Sequence, residues 1–119
     1  MSEQGQRLNV SSEDGVTIVE LTDRKILDEV NIMQIGEQLF RIVAEAESPK
    51  LVLDFTNVAH MSSSALGVLI TLHKRIREKS GKLALCCIQP AIKEIFEITR
   101  LNEIFTMCSA RAEAITTLG

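Results

Sequence analysis

The run Leu51-Val-Leu-Asp-Phe55 constrains the fold of this chain more than any other stretch. It is short, apolar and hardly alternates. A strand with that pattern is covered on both faces, which is the habit of a parallel sheet with helices packed against it. The segment behind this strand is equally specific. A polar loop leads into Ser62-Ser63-Ser64, and an apolar helical pattern opens directly after them. Serine at a helix start accepts a hydrogen bond from a free backbone N–H. Three in succession exceed that need. First-turn N–H groups and the helix dipole also favour a phosphate at such a place.

The rest of the chain fits around this strand. Leu8-Asn-Val10 alternates, Ser11-Ser-Glu-Asp-Gly15 is a turn cluster, and Val16-Thr-Ile-Val-Glu-Leu21 is β-branched and apolar, so a β-hairpin is expected. Thr22–Lys25 reads as polar loop. Asp28 is a candidate N-cap for a helix running to about Glu47, with Ile32, Ile35, Leu39, Ile42, Val43 and Ala46 at helical spacing. Ser48-Pro49 stops it, because proline disfavours helix in the residue before. The second helix begins near Ser63, with Leu66, Leu69, Ile70 and Ile76 on its inner face and Gly81 as the residue just past its end. Lys82–Ile88 is a second buried strand. Pro90 opens a third helix carrying Ile92, Ile95 and Phe96. A short last strand is expected at Phe105–Met107. Ser109 is a candidate cap for a closing helix with Ala112, Ile115 and Leu118 inward.

The order is therefore β-β-α-β-α-β-α-β-α. It implies an α/β fold with a mainly parallel sheet, an N-terminal antiparallel hairpin strand and about four helices. With 119 residues, one domain over 6–119 is expected, behind a frayed, polar stretch at 1–5.

Several function classes are disfavoured. There is no Trp or Tyr and only four Phe, so base-stacking platforms are lacking. Net charge is −3, with no basic stripe for a phosphate backbone, and no direct nucleic-acid binding is expected. The basic run His73–Lys79 falls where a helix end favours cations. No glycine-rich phosphate loop is present. The serines lack the flanking glycines of a nucleophile elbow, and no histidine lies beyond His73, which argues against a hydrolase. His60 reads as a loop residue and His73 as helix rim. Cys86, Cys87 and Cys108 form no Cys-x-x-Cys pair, so neither a disulfide framework nor a metal site is expected, and no cofactor. No apolar leader or membrane-length run is seen, and a cytoplasmic location is expected. Asp54 ends the buried strand, where open α/β sheets present functional groups; it could equally cap the turn. Gly67 inside a helix costs about 1 kcal/mol relative to alanine, which close packing against a strand or a partner would offset.

The run from Leu51 through Leu69 resembles the signature of STAS domains, the family of the bacterial anti-sigma factor antagonists: an apolar strand ending in Asp, a loop with a Val, then Asp-Ser-Ser/Ala-Gly/Ala-Leu-Gly opening a helix, matched here by Ser62 to Gly67. The flanks agree, from the Gly15–Thr22 strand through Gly81–Leu85 and Pro90 to Leu101–Phe105 and Glu113-Ala-Ile115. The resemblance implies a non-enzymatic switch. A partner anti-sigma factor or serine/threonine kinase binds the unmodified protein and phosphorylates it, and a protein phosphatase resets it. The acceptor maps onto Ser63, and the surface that meets the partner onto Asp54, Asn57, His60, Met61, Ser62, Ser63, Ser64, Ala65 and Gly67. Ser62 stands where the signature usually has Asp. That makes Ser62 and Ser64 rival acceptors, and leaves open a constitutive module that is never phosphorylated. A small-ligand or lipid carrier using the apolar interior is a third reading.

Overall fold

The structure is a computed structural model, and it describes residues 8–119; the expected frayed stretch at 1–5 lies outside the described residues. A five-stranded sheet forms the middle layer. Its strands are β1 (Leu8–Glu13), β2 (Val16–Leu21), β4 (Lys50–Asp54), β6 (Lys82–Cys86) and β7 (Thr106–Cys108), in spatial order β1-β2-β4-β6-β7. The first pair is antiparallel and the remaining pairs are parallel. A two-residue strand, β3 (Lys25–Ile26), pairs in parallel with β5 (His60–Met61) in a separate small sheet. The helices are α1 (Glu29–Glu45), α2 (Ser63–Glu78), α3 (Pro90–Ile98) and α4 (Arg111–Leu118), with a 3-10 turn at Leu101–Glu103.

Each parallel strand is added on the same side of the previous one. Right-handed crossovers therefore carry α1, α2 and α3 over the same face. There Val19, Leu21, Leu51, Leu53, Leu83 and Leu85 pack with Ile35, Leu39, Leu69, Leu72 and Phe96. The opposite face is covered by α4. Val16, Ile18, Val52, Ala84 and Cys86 meet Ala114, Ile115 and Leu118 there. Strand β4 alternates between the two cores, and all of Leu51–Asp54 is buried. That is why its sequence shows no polar alternation.

The structure corrects several boundaries. The hairpin turn is only Asp14-Gly15, with φ of 56° and 78°, and Ser11–Glu13 belong to β1. Two successive left-handed residues match the twist of the flanking strands, so the first arm is longer than its composition suggests. The helix-ending residue in the left-handed region after α2 is Ser80, not Gly81. The Ser80 N–H donates to the Arg77 carbonyl and the Gly81 N–H to the Ile76 carbonyl, which closes the helix. Gly81 is needed for another reason: a Cβ there would lie 2.3 Å from the Pro49 carbonyl oxygen. Strand β6 stops at Cys86 because Cys87 turns left-handed, with φ 61°. The last strand is shifted one residue along. Ala110, not Ser109, caps α4. Ser109 instead donates its N–H to the Glu113 carboxylate at 2.9 Å. Ala114 is buried where Ala112 was expected.

Helix α1 carries no basic residue in its last turn. Lys79, just past α2, supplies the missing cation. Its Nζ donates to the carbonyls of Val43, Ala44 and Ala46 at 2.9, 2.8 and 2.6 Å. All three lie at the carbonyl end of the helix, where the Val43 carbonyl also accepts from the Ala46 N–H at 3.3 Å. Lys79→Met keeps most of the aliphatic stem and removes the donors. It is expected to lower stability by about 1–3 kcal/mol with an unchanged denaturant slope, measured by urea unfolding.

Candidate functional site

The candidate site is the loop from Asp54 to Ser62 together with the first turn of α2. The loop is fastened from several directions. The Phe55 N–H donates to the Cys86 carbonyl at 3.0 Å and the Val58 N–H to the Phe55 carbonyl at 3.0 Å. Ala59 and His60 both donate to the Arg24 carbonyl, and Ser62 donates to Ile26. The Asn57 amide reaches the Glu20 carboxylate at 3.2 Å and the Leu21 carbonyl at 3.3 Å. The Gln89 amide holds the Thr56 carbonyl at 3.0 Å. Phe55 and Val58 are fully buried beneath. The pairing of Lys25–Ile26 with His60–Met61 leaves no mark in the sequence, because two-residue strands carry no periodicity.

Asp54 secures the start of this loop. Its Oδ1 accepts from the Thr56 N–H at 2.8 Å and from the Thr56 hydroxyl. Its Oδ2 accepts from Arg111 Nε and Nη2 at 3.0 and 2.7 Å. Asp54 is only 3% exposed and lies on the α4 side of the sheet. Burial raises its carboxyl pKa. The hydrogen bonds from Thr56 and the Arg111 guanidinium outweigh that and hold it below the ordinary value. The capping reading of Asp54 therefore holds. Arg111 is a site residue that sequence reasoning misses; a half-buried arginine opening a helix gives no spacing signal toward a residue so distant along the chain. Beside this pair the Cys86 thiol is fully buried. Desolvation, the Cys87 thiol and the Asp54 charge push its pKa far above the ordinary value.

The three serines differ in their surroundings. Ser62 is half-buried and is the N-cap, its hydroxyl accepting from the Ala65 N–H at 3.4 Å. Ser64 is exposed, and its hydroxyl donates to Glu29 of α1 at 2.9 Å. Ser63, the first residue of α2, is exposed and makes no side-chain hydrogen bond among the described residues. Asn57, His60 and Gly67 are exposed beside it, whereas Met61 and Ala65 are buried supports. A Cβ on Gly67 would meet nothing within 4 Å. Its helix penalty is thus not offset by packing inside the fold. His73 lies farther along α2, half-buried, with its ring edge-on to Phe105 at 5.3 Å.

The electrostatics favour negative charge at this mouth. The first turn of α2 contains no acidic residue. The first turn of α1 is already served by Asp28 and Glu29, and Asp28 accepts from the Val30 and Asn31 N–H groups. An apolar void between α1, α2 and β2, lined by Leu21, Ile35, Leu39 and Leu69 among others, holds about 10 Å³. That is about one water's worth of space, so a lipid carrier finds no room there. No helix among the described residues is long and apolar enough to cross a membrane.

The STAS domain profile matches residues 7–114. The chain belongs to the STAS domain family. A Bordetella bronchiseptica protein named as an anti-sigma factor antagonist, BtrV, is 30% identical over 108 residues, covering 91% of this chain and 90% of that one. The anti-sigma F factor antagonist of Paenibacillus polymyxa is 28% identical over 104 residues, covering 87% of each. Among solved structures, a STAS-domain anti-sigma-factor antagonist of Planctomyces limnophilus superimposes with a TM-score of 0.84 at 26% identity, over 94% of this chain and 97% of that one. The STAS match spans the whole strand–loop–helix segment from Asp54 to Ser63.

Because Asp54 is harder to protonate in the folded chain, the unfolded chain binds more protons at low pH, and stability rises with pH through that range. The contribution is complete above the ordinary carboxylate value of 3.8 and is lost as pH falls through the lower folded value. Asp54→Asn is expected to be less stable at neutral pH and to show a shallower acid limb. Denaturant unfolding at a series of pH values from about 7 to about 2 measures both; parallel curves for the two proteins below the ordinary carboxylate value would contradict the assignment.

Proposed function

We propose that this chain is an anti-sigma factor antagonist, a binding switch with no catalytic role of its own, working in the cytoplasm as one STAS unit over 6–119. In this reading it docks an anti-sigma factor or serine kinase through the loop at 56–61 and the helix start at 62–67. Phosphorylation of Ser63 ends the association, and a phosphatase restores it. The observation that carries the reading is Ser63 itself: an exposed hydroxyl, not engaged within the fold, at the positive end of α2, whose first turn holds no acidic residue of its own. Ser62 is committed to capping and Ser64 to Glu29, which favours Ser63 over both. The relatives named as antagonists support the same role.

The mechanism is local. A phosphate adds about −1.5 to −2 charges and three acceptor oxygens. The α2 dipole tolerates it, so the fold survives. A partner packed on the bare hydroxyls would instead meet a desolvated dianion. Losing contacts of a few kcal/mol lowers affinity by tens- to hundreds-fold, because about 1.4 kcal/mol is tenfold.

The serine at 62 gives weight to a second reading, a constitutive interaction module, since α2 then lacks the usual carboxylate beside the acceptor. Incubation with a cognate serine kinase and ATP, followed by mass mapping, separates the two. The switch requires phosphate on Ser63, and Ser63→Asp should weaken partner binding at least tenfold while leaving the melting temperature nearly unchanged. Absence of phosphate on Ser62, Ser63 and Ser64, with Ser63→Asp binding as the parent does, would leave only the constitutive module.

Gly67 gives an independent check of the docking face. Gly67→Ala should stabilise the isolated protein by about 0.5–1 kcal/mol, since its Cβ enters open space. A bulky replacement such as Gly67→Leu should be tolerated by the fold yet weaken the complex, read by titration calorimetry against the partner.

A further inference from the structure

Three soft or anionic donors converge on the side of the sheet away from the serines. One carboxylate oxygen of Asp54 and the Sγ atoms of Cys86 and Cys87 all lie within 4.8 Å of one another. Two features of the fold bring them together. Asp54 and Cys86 are register partners on adjacent parallel strands, so their side chains leave the sheet on the same face. Cys87 would point to the opposite face if β6 continued. Its left-handed backbone, φ 61°, breaks that alternation, and its side chain joins the same cluster as Cys86 under α4. A non-glycine residue is strained in that region, and the result is two thiols side by side.

We propose that Asp54, Cys86 and Cys87 form a site for one thiophilic divalent ion of the zinc class, with water as the fourth ligand. Two thiolates select zinc-like ions over magnesium or calcium, which prefer all-oxygen sites. Four-coordinate zinc places sulfur at about 2.3 Å and oxygen at about 2.0 Å, so the donors need only rotamer-scale approach. The carboxylate is already oriented by the N–H and hydroxyl of Thr56 on Oδ1, in the way that outer hydrogen bonds orient metal-bound carboxylates. Arg111 covers Oδ2 from its partly exposed side, so an ion can share the carboxylate if the guanidinium shifts outward while staying near enough to pair with it. Binding expels the two thiol protons to solvent with no change of oxidation state. The dication and Arg111 together then balance two thiolates and one carboxylate, supplying the countercharge that a buried Cys86 thiolate lacks. The ligand pattern is invisible in the sequence, because one donor comes from a neighbouring strand and the others are adjacent residues.

The test is anaerobic titration of the reduced, full chain with Co2+. The expected result is thiolate-to-cobalt charge-transfer absorption saturating at one ion per chain, displaced by Zn2+, with two protons released per ion. Cys87→Ser, at the more accessible thiol, should weaken binding at least tenfold with an unchanged circular dichroism spectrum. Cys108→Ser should bind as the parent does, since Cys108 sits against Thr117 at 4.0 Å and outside the donor set. Zn2+ should raise the melting temperature of the parent and not of Cys87→Ser. No charge-transfer band, a band that survives Cys87→Ser, or one that vanishes with Cys108→Ser would each overturn the proposal.

Discussion

The Asp54 carboxylate joins parts of the chain that no local propensity would hold together. One oxygen fixes the turn at Thr56, and the other ties the end of the central strand to Arg111 at the start of α4. Both faces of β4 are covered, so a charge at its end must be compensated within the protein. The fold does this with a fixed hydroxyl, a fixed amide and one guanidinium. Loop 55–62 therefore leaves the sheet in one direction. The anchors to Arg24, Ile26, Glu20 and Gln89 then determine where Ser63 is displayed.

The two helix starts that lie together are electrostatically unequal. Helix α1 is capped by Asp28 and carries Glu29, whereas α2 is capped by a neutral serine and has no acid in its first turn. Glu29 bridges the two through the Ser64 hydroxyl. The α2 start therefore has one carboxylate near it, lent by α1, where the α1 start has two of its own. At the opposite ends of the same two helices, Lys79 closes α1 and the turn at Ser80-Gly81 closes α2.

Much of this was legible in the sequence because the governing signals are local. Apolar runs, helical spacing, Asp28, Ser62 and Pro90 each act within a few residues, and the alternation of strands and helices requires a parallel sheet. The failures came where tertiary geometry decided. Lys79 caps a helix far along the chain. Arg111 finds Asp54 across the sheet. Lys25–Ile26 pairs with His60–Met61 over too short a length to leave a period. The left-handed positions at Ser80 and Cys87 are taken by residues that do not advertise them. Among the site residues, the exposed and buried members interleave: Ser63, Ser64 and Gly67 face solvent, while Met61 and Ala65 support them from below. A loop that runs into a helix start has no single periodicity that separates the two sets.

The tight fastening of loop 55–62 bears on recognition speed. A segment that is already ordered has little conformational entropy left to lose when another molecule settles on it. Encounter then proceeds with close to rigid-body geometry. For the docking proposed above, the lifetime of each complex, rather than a slow folding-upon-contact step, would set how quickly partners exchange.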